Sequence, residues 1–233
     1  MALGNKTLDD LLGPISTQLE HNSVPSNVEM PQWEFKAERL TDGKSHDELI
    51  DMFEDEAKKI RVSVTRCTAA DLATCLAGIV GQGTPESGEP CSVVYAADER
   101  FAGLGDALNA QDKVTKVTKW DNGAADACIQ DARVATYGIT YAASGIAETG
   151  TVVQPTSPDC GRAISLLPLS HIAVVDASTI EPTMLEIMQK YAEDGKLPSQ
   201  VCFISGPSAT ADIELVRVEG VHGPMYVNYV IVE

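Results

Sequence analysis

Apolar and polar residues alternate along this chain in blocks that predict helices and strands in turn. Between His46 and Lys59 the apolar positions recur every three or four residues, as in an amphipathic helix, and Ser45 is placed to cap it. His171–Val175 is instead a continuous apolar run, which is typical of a strand buried on both faces of a parallel sheet. The same criteria predict helices at 69–80, 98–110, 126–133 and 181–193, and strands at 60–65, 91–96, 114–120, 134–143, 151–153, 163–167, 201–204 and 225–232.

Strands that alternate with helices favour an α/β fold with a mostly parallel sheet covered on both sides. An additional N-terminal helix is predicted before residue 21, where Thr7 and Asp10 imitate a capping box and leucines recur at helical spacing. The segment His21–Pro31 is rich in Asn, Ser and Pro and is predicted to be a linker. We therefore expect a helix and linker over residues 1–31 and a single α/β domain over residues 32–233.

Composition excludes several classes of partner and cofactor. With 34 acidic against 17 basic residues the net charge is −17, so binding to nucleic acid is not expected. No apolar run approaches the roughly 20 residues of a spanning helix, and no secretory signal is recognisable, so we expect a cytoplasmic protein without membrane insertion. The six cysteines include no Cys-x-x-Cys pair, and no His/Glu set has metal-ligand spacing, so we expect neither a metal site nor a cofactor.

The first candidate for chemistry is the glycine-rich heptapeptide Gly-Ile-Ala-Glu-Thr-Gly-Thr, which lies between two strand-like segments. Gly145 and Gly150 permit a close approach of a ligand to the main chain. Thr149 and Thr151 place hydroxyls beside the carboxylate of Glu148, a set that can hold or polarise a small oxygenated molecule. The alternative is a tight turn between strands with a solvated glutamate.

A second glycine-rich segment follows the predicted strand 201–204. Backbone N–H groups around Gly206, with the hydroxyls of Ser208 and Thr210, can form a concavity for a carboxylate or phosphate, and Asp212 is the nearest acid. His222, beside a glycine, is a further candidate for ligand binding. The alternative for this segment is a cap and turn that satisfies its own backbone, and a structural role for the histidine.

Arg162 is the basic residue best suited to an organic acid, because a guanidinium can pair with a carboxylate through two hydrogen bonds. It could hold an organic-acid ligand or orient Glu148, and the alternative is a surface salt bridge. Since both glycine-rich segments follow strands, we expect them to meet beyond the carboxyl ends of the sheet strands, where ligands bind in open α/β sheets.

The order of these motifs resembles the lactate-utilisation domain family. The matching segments are Gly145–Thr151, Gly161–Arg162, Leu166–Pro168, His171–Val175, Gly206–Glu214 and Gly220–Pro224. The resemblance implies a three-layer sandwich of the kind shared by phosphosugar isomerases and CoA transferases. It also implies a subunit of an L-lactate utilisation system that oxidises L-lactate to pyruvate together with iron–sulfur partner proteins, itself without a redox cofactor.

Two further functions stay open at the level of sequence. The chain could act on a small organic acid or acyl group, with Glu148 in the place of the CoA-transferase nucleophile and Arg162 beside it, although a shared fold does not determine function. It could also be a non-catalytic module that docks partner proteins or senses a metabolite.

Overall fold

The computed structural model describes residues 13–15, 17–18, 39–195, 197–211 and 217–233. Residues 13–15 and 17–18 are helical, and the rest of the predicted N-terminal helix lies outside the described residues, as does the predicted linker. Leu40–Glu233 forms one compact unit. The predicted boundary after residue 31 stays a prediction.

Helices and strands alternate through most of this unit. The helices are α1 (His46–Lys59), α2 (Leu72–Val80), α3 (Leu104–Asn109), α4 (Ala125–Val134), α5 (Ala163–Leu166) and α6 (Met184–Asp194). The strands are β1 (Ser63–Cys67), β2 (Cys91–Tyr95), β3 (Val114–Lys119), β4 (Tyr137–Tyr141), β5 (Ser144–Ile146), β6 (Thr151–Pro155), β7 (Ser170–Asp176), β8 (Ile180–Glu181), β9 (Val201–Ile204), β10 (Ala209–Ala211), β11 (Arg217–Glu219) and β12 (Tyr226–Val232).

Six of these strands form the central sheet, in the order β1-β12-β7-β4-β2-β3, and every neighbouring pair is parallel. The α/β class with a parallel sheet is therefore confirmed. Alternate residues of each strand point to opposite faces. Ile172 and Val174 of β7 pack on the face covered by α2 and α3, whereas Ala173 and Val175 pack on the face covered by α1 and a second sheet.

The second sheet is small and mixed, in the order β8-β5-β6-β9, and it lies over the α1 face of the central sheet. On its outer side Ile187 of α6 packs against Ile146 and Val153. The N-cap predicted for helix α1 is confirmed. Ser45 caps the helix and forms a reciprocal capping box with Glu48. None of the helices among the described residues is long and apolar enough to cross a membrane.

Two of the predicted elements are wrong. The segment 163–167 forms helix α5 instead of a strand, and its Ile164 carbonyl occupies the space that a side chain at Gly138 of β4 would need. The helix expected over 98–110 is divided into a 3₁₀ turn and α3, because Gly103 between them adopts the left-handed conformation with φ of 75°.

Candidate functional site

The two glycines of the first motif lie against helix α1. A Cβ at Gly145 would be 3.0 Å from the ring of Phe53, and one at Gly150 would be 2.3 Å from the backbone nitrogen of Ala57. Gly150 also has a positive φ of 58°. The close backbone approach expected for a ligand at these positions is therefore made by α1.

Glu148 lies in a half-buried 3₁₀ turn between β5 and β6. Its backbone N–H donates to the Pro182 carbonyl at 3.2 Å, and among the described residues no hydrogen bond or ion pair involves its carboxylate. Beside it the hydroxyls of Thr149, Thr151 and Ser205 form a chain with O–O distances of 2.7 Å. The two glycine-rich segments thus meet, as expected.

Their meeting point is not at the carboxyl ends of the central sheet strands, and that part of the expectation is wrong. Gly150 packs on Ala57 near the C-terminal end of α1, and Gly206 packs on the carbonyl of Ile60 just beyond it. Because α1 leads directly into β1, this end of the helix lies over the amino ends of the strands. Strand β5 turns back across the sheet and carries the motif there.

The second segment lines a crevice of about 330 Å³ together with two histidines. Three of the predicted ligand-binding residues, Gly206, Ser208 and His222, are brought together in it. Its lining is completed by residues from α5, β7, β9, β12 and the loop before β12, namely Ser165, Leu166, His171, Cys202, Phe203, Ile204, Ser205, Gly223, Pro224 and Val227. We call this site the histidine crevice.

His171 lines the histidine crevice, although the sequence did not indicate it as a ligand-binding residue. It is fully buried at the amino end of β7, and burial lowers the pKa of its imidazole to about 4, so the ring is neutral at pH 7. Its Nε2 is hydrogen-bonded to the Thr140 hydroxyl at 2.8 Å, whereas its Nδ1 is buried and has no partner among the described residues. Apolar neighbours in sequence favoured a structural role and gave no sign of this free nitrogen.

Thr210 and Arg162 do not line this crevice. Thr210 is exposed on β10, and Asp212 lies outside the described residues. Arg162 is exposed at the start of α5, and among the described residues no hydrogen bond or ion pair joins it to Glu148. A role of any of these three residues in binding or catalysis stays a prediction.

A second polar site, which the sequence did not indicate, lies at the carboxyl ends of β2, β4 and β7. We call Asp98, Arg100, Tyr141 and Asp176 the carboxyl-edge cluster. The Arg100 guanidinium donates two hydrogen bonds to Asp98, at 2.7 and 2.9 Å, and one to Asp176 at 3.1 Å. It stacks on the Tyr141 ring, 3.4 Å from its centroid, while the Tyr141 hydroxyl donates to Asp176 at 2.6 Å.

These contacts set the charges of the cluster. The hydrogen bonds from Arg100 hold the pKa of the Asp98 carboxyl below its usual value, and burial with the bond to Asp176 raises the pKa of Tyr141. Each residue comes at or just after the end of a strand. A systematic search for polar residues at predicted strand ends would have found Asp98 and Asp176.

Next to the cluster, Gln154 of β6 lines a crevice of about 170 Å³. Its side-chain nitrogen donates to the Tyr141 and Pro155 carbonyls, and its buried Oε1 has no hydrogen-bond partner in the part of the chain that the structure describes. Cys160 also lines this space, and burial raises the pKa of its thiol to about 12, so the thiol is protonated.

The histidine crevice and the crevice beside the carboxyl-edge cluster favour different ligands. The crevice beside the cluster is lined by Asp98 and Asp159, and the charge of Arg100 is neutralised by carboxylates, so a small anion is repelled there. None of the described residues of the histidine crevice is acidic. Within the described part of the chain no group of three or more His, Cys, Asp or Glu side chains is placed to hold a metal ion.

The fold and these sites define an α/β protein built on a parallel sheet, with a polar crevice near each end of strand β7. The chain belongs to the LUD domain family, which its residues 50–232 match, and the resemblance noted in the sequence is thereby confirmed. A crystal structure of a DUF162 family protein from Deinococcus radiodurans has the same fold, with a TM-score of 0.54 and 23% identity over 82% of this chain and 99% of that one.

Several relatives match the chain over nearly its whole length. Lactate utilization protein C of Bacillus licheniformis is 36% identical over 97% of this chain and 95% of its own length. The protein of the same name from Bacillus subtilis is 34% identical over 96% of this chain and 95% of its own length. Relatives of this name support a role in lactate utilisation.

Proposed function

We propose that this chain takes part in the oxidation of L-lactate to pyruvate, together with iron–sulfur partner proteins in the cytoplasm. Its own share is to bind a small organic acid, and it holds no redox cofactor. Electrons pass through the partner proteins. Nucleic acid has no part in the proposal, because a net charge of −17 repels phosphate backbones.

The observation that carries this proposal is the similarity to proteins named lactate utilization protein C over almost the full length of both chains. The placement of the cysteines supports the assignment of electron transfer to partners. Clusters of iron and sulfur need grouped thiolates, and the six cysteines here are distributed over β1, α2, β2, α4, β9 and the loop after β6.

Growth on lactate tests the proposal at the level of the pathway. Cells that lack the gene should fail to grow with L-lactate as the carbon source, should grow normally on pyruvate, and should recover with a plasmid-borne copy. Equal growth on lactate with and without the gene would refute the proposal, because pyruvate growth controls for every later step.

Association with the partners is tested separately. We expect a tagged copy of the chain, purified gently from lactate-grown cells, to bring down proteins that contain iron and acid-labile sulfide, while the chain purified alone contains neither iron nor flavin. Recovery of a flavin or iron bound to the isolated chain would contradict the assignment of electron transfer to the partners.

A catalytic role of Glu148 on an acyl or organic-acid substrate is a second proposal. It is favoured by one observation, namely the half-buried carboxylate for which the described residues provide no hydrogen-bond partner. Glu148→Gln keeps the shape and removes the charge, and Glu99→Gln, in another 3₁₀ turn, is the matched control. Full lactate oxidation by a stable Glu148→Gln protein would exclude this role.

A further inference from the structure

The histidine crevice differs in charge from the rest of the molecule. The chain carries a net charge of −17, and the crevice at the other end of β7 is lined by carboxylates. By contrast, the described residues of the histidine crevice are hydroxyl-bearing, apolar or histidine side chains. A small anion is therefore repelled less here than at the carboxyl-edge cluster.

One buried atom of a residue that lines this crevice has no hydrogen-bond partner among the described residues. His171 has no exposed surface, and its Nδ1 has no partner within the described protein, although Nε2 is bonded to Thr140. A buried polar atom without a hydrogen-bond partner is energetically unfavourable, so a ligand that supplies the missing bond is favoured.

The hydrogen bond with Thr140 allows two tautomers, and each makes a different demand on a ligand. If the Thr140 hydroxyl donates to Nε2, then Nδ1 carries the proton and donates to a ligand oxygen. If Nε2 donates to Thr140, then Nδ1 accepts a hydrogen bond from a ligand hydroxyl. An α-hydroxy carboxylate provides an acceptor and a donor on adjacent carbon atoms, so it satisfies either tautomer, whereas an α-keto carboxylate provides acceptors alone and satisfies the tautomer with the proton on Nδ1.

The surrounding side chains complete a site for such an acid. Ser208 is held by its backbone, which donates to Pro224 and accepts from Gly220, both at 2.9 Å, so its hydroxyl remains available. Ser205, whose hydroxyl is hydrogen-bonded to that of Thr151, also lines the crevice, and Leu166 contributes apolar surface for a methyl group.

We infer that the histidine crevice binds a small α-hydroxy or α-keto carboxylate, with His171 Nδ1 and the Ser208 hydroxyl as its polar contacts. The inference names the site of the organic acid in the proposed function and rests on that function for the choice of acid. It assigns binding to this chain and no bond-breaking step.

The test is calorimetric titration of the purified full chain with sodium L-lactate and with sodium pyruvate, against sodium chloride at equal ionic strength. Ser208→Asp places a carboxylate in the crevice. Ser208→Asn is the matched variant, because asparagine has nearly the same size as aspartate and carries no charge. We expect Ser208→Asn to weaken lactate binding by about threefold, because the hydroxyl contact is lost, and Ser208→Asp by at least about tenfold, because a carboxylate is added as well. Equal melting temperatures of the three proteins serve as the control for folding.

Ring nitrogen spectra of the histidines give an independent readout. Addition of lactate should shift the resonances of His171 and leave those of His46, on α1, unchanged. No binding of lactate or pyruvate up to about 100 mM, equal binding by Ser208→Asp and Ser208→Asn, or equal affinity for inorganic phosphate would each overturn the inference.

The growth experiment separates this inference from the proposed function. If loss of the gene abolishes growth on lactate while the pure chain binds no carboxylate, the binding site is refuted and the pathway role stands. If the pure chain binds lactate in a Ser208-dependent manner while growth without the gene is normal, the site stands and the pathway role is refuted.

Discussion

His171 and His222 line the same crevice, yet their surroundings give them different properties. His222 is exposed on a loop, whereas the imidazole of His171 is enclosed by the sheet and its pKa falls to about 4. The sequence placed His222 in a candidate site because of its glycine neighbour. The sequence did not indicate His171, because the residues of α5 and β9 that line the crevice with it are distant in the sequence.

The buried His171 should make stability depend on pH. Its folded pKa of about 4 lies below the ordinary 6.5, so between these values the unfolded chain binds a proton that the folded chain does not. This contribution to stability is therefore complete above pH 6.5 and is lost as the pH falls toward 4, by up to about 3 kcal/mol.

Urea unfolding at pH 7 and pH 4.5 measures this dependence. We expect His171→Gln to lose less free energy of unfolding on acidification than the wild type, by about 2 kcal/mol, because the titrating imidazole is gone. His46→Gln, which removes an exposed histidine, should behave like the wild type. The same acid-induced loss in His171→Gln and wild type would contradict the burial of a neutral ring.

At the scale of elements, contacts with distant glycines can determine whether a short apolar segment forms a helix or a strand, which its local pattern does not show. The strand at 201–204, the helix at 46–59 and the edge strand near 114–120 were predicted from periodicity, and the structure confirms them. The segment 163–167 was assigned wrongly because its short apolar run fits a strand equally well. Its helical form depends on Gly138, a residue of another strand.

The packing of α1 on the Glu148 turn is tested by comparing alanine substitutions at two glycines. Gly150 and Gly195 have similar φ values, 58° and 62°, but only Gly150 has backbone atoms in the position of a Cβ. Gly195→Ala should lose about 1 kcal/mol of stability from backbone strain alone. Gly150→Ala should lose about 2–4 kcal/mol, since overpacking against α1 is added. Equal losses in urea unfolding would contradict the contact.

The carboxyl-edge cluster joins the ends of three strands through one guanidinium. Removal of that guanidinium in Arg100→Gln should raise the pKa of Asp98 toward its ordinary value, because the hydrogen bonds that stabilise the carboxylate are lost. Carboxyl carbon resonances followed from pH 2 to 7 would report the change. Arg133→Gln, on α4, should leave the Asp98 titration unaltered.

At the scale of the whole molecule, strand β7 connects two polar sites of opposite character. His171 near its amino end faces the histidine crevice, and Asp176 at its carboxyl end belongs to the acidic cluster. The fold class could be predicted from alternating elements, and part of the histidine crevice from its glycines. The carboxyl-edge cluster could not be predicted, because the order of the strands in the sheet, which the sequence does not show, determines which strand ends become neighbours.

The central claim, that this chain works in lactate oxidation, is tested most directly by adding the pure protein back to an extract. Extract from cells lacking the gene should reduce an electron-accepting dye poorly with L-lactate and normally with NADH. The wild-type chain should restore lactate-dependent reduction up to saturation, Ser208→Asn should restore somewhat less, and Ser208→Asp should restore much less. An extract without the chain that oxidises lactate as fast as the wild-type extract would contradict the claim.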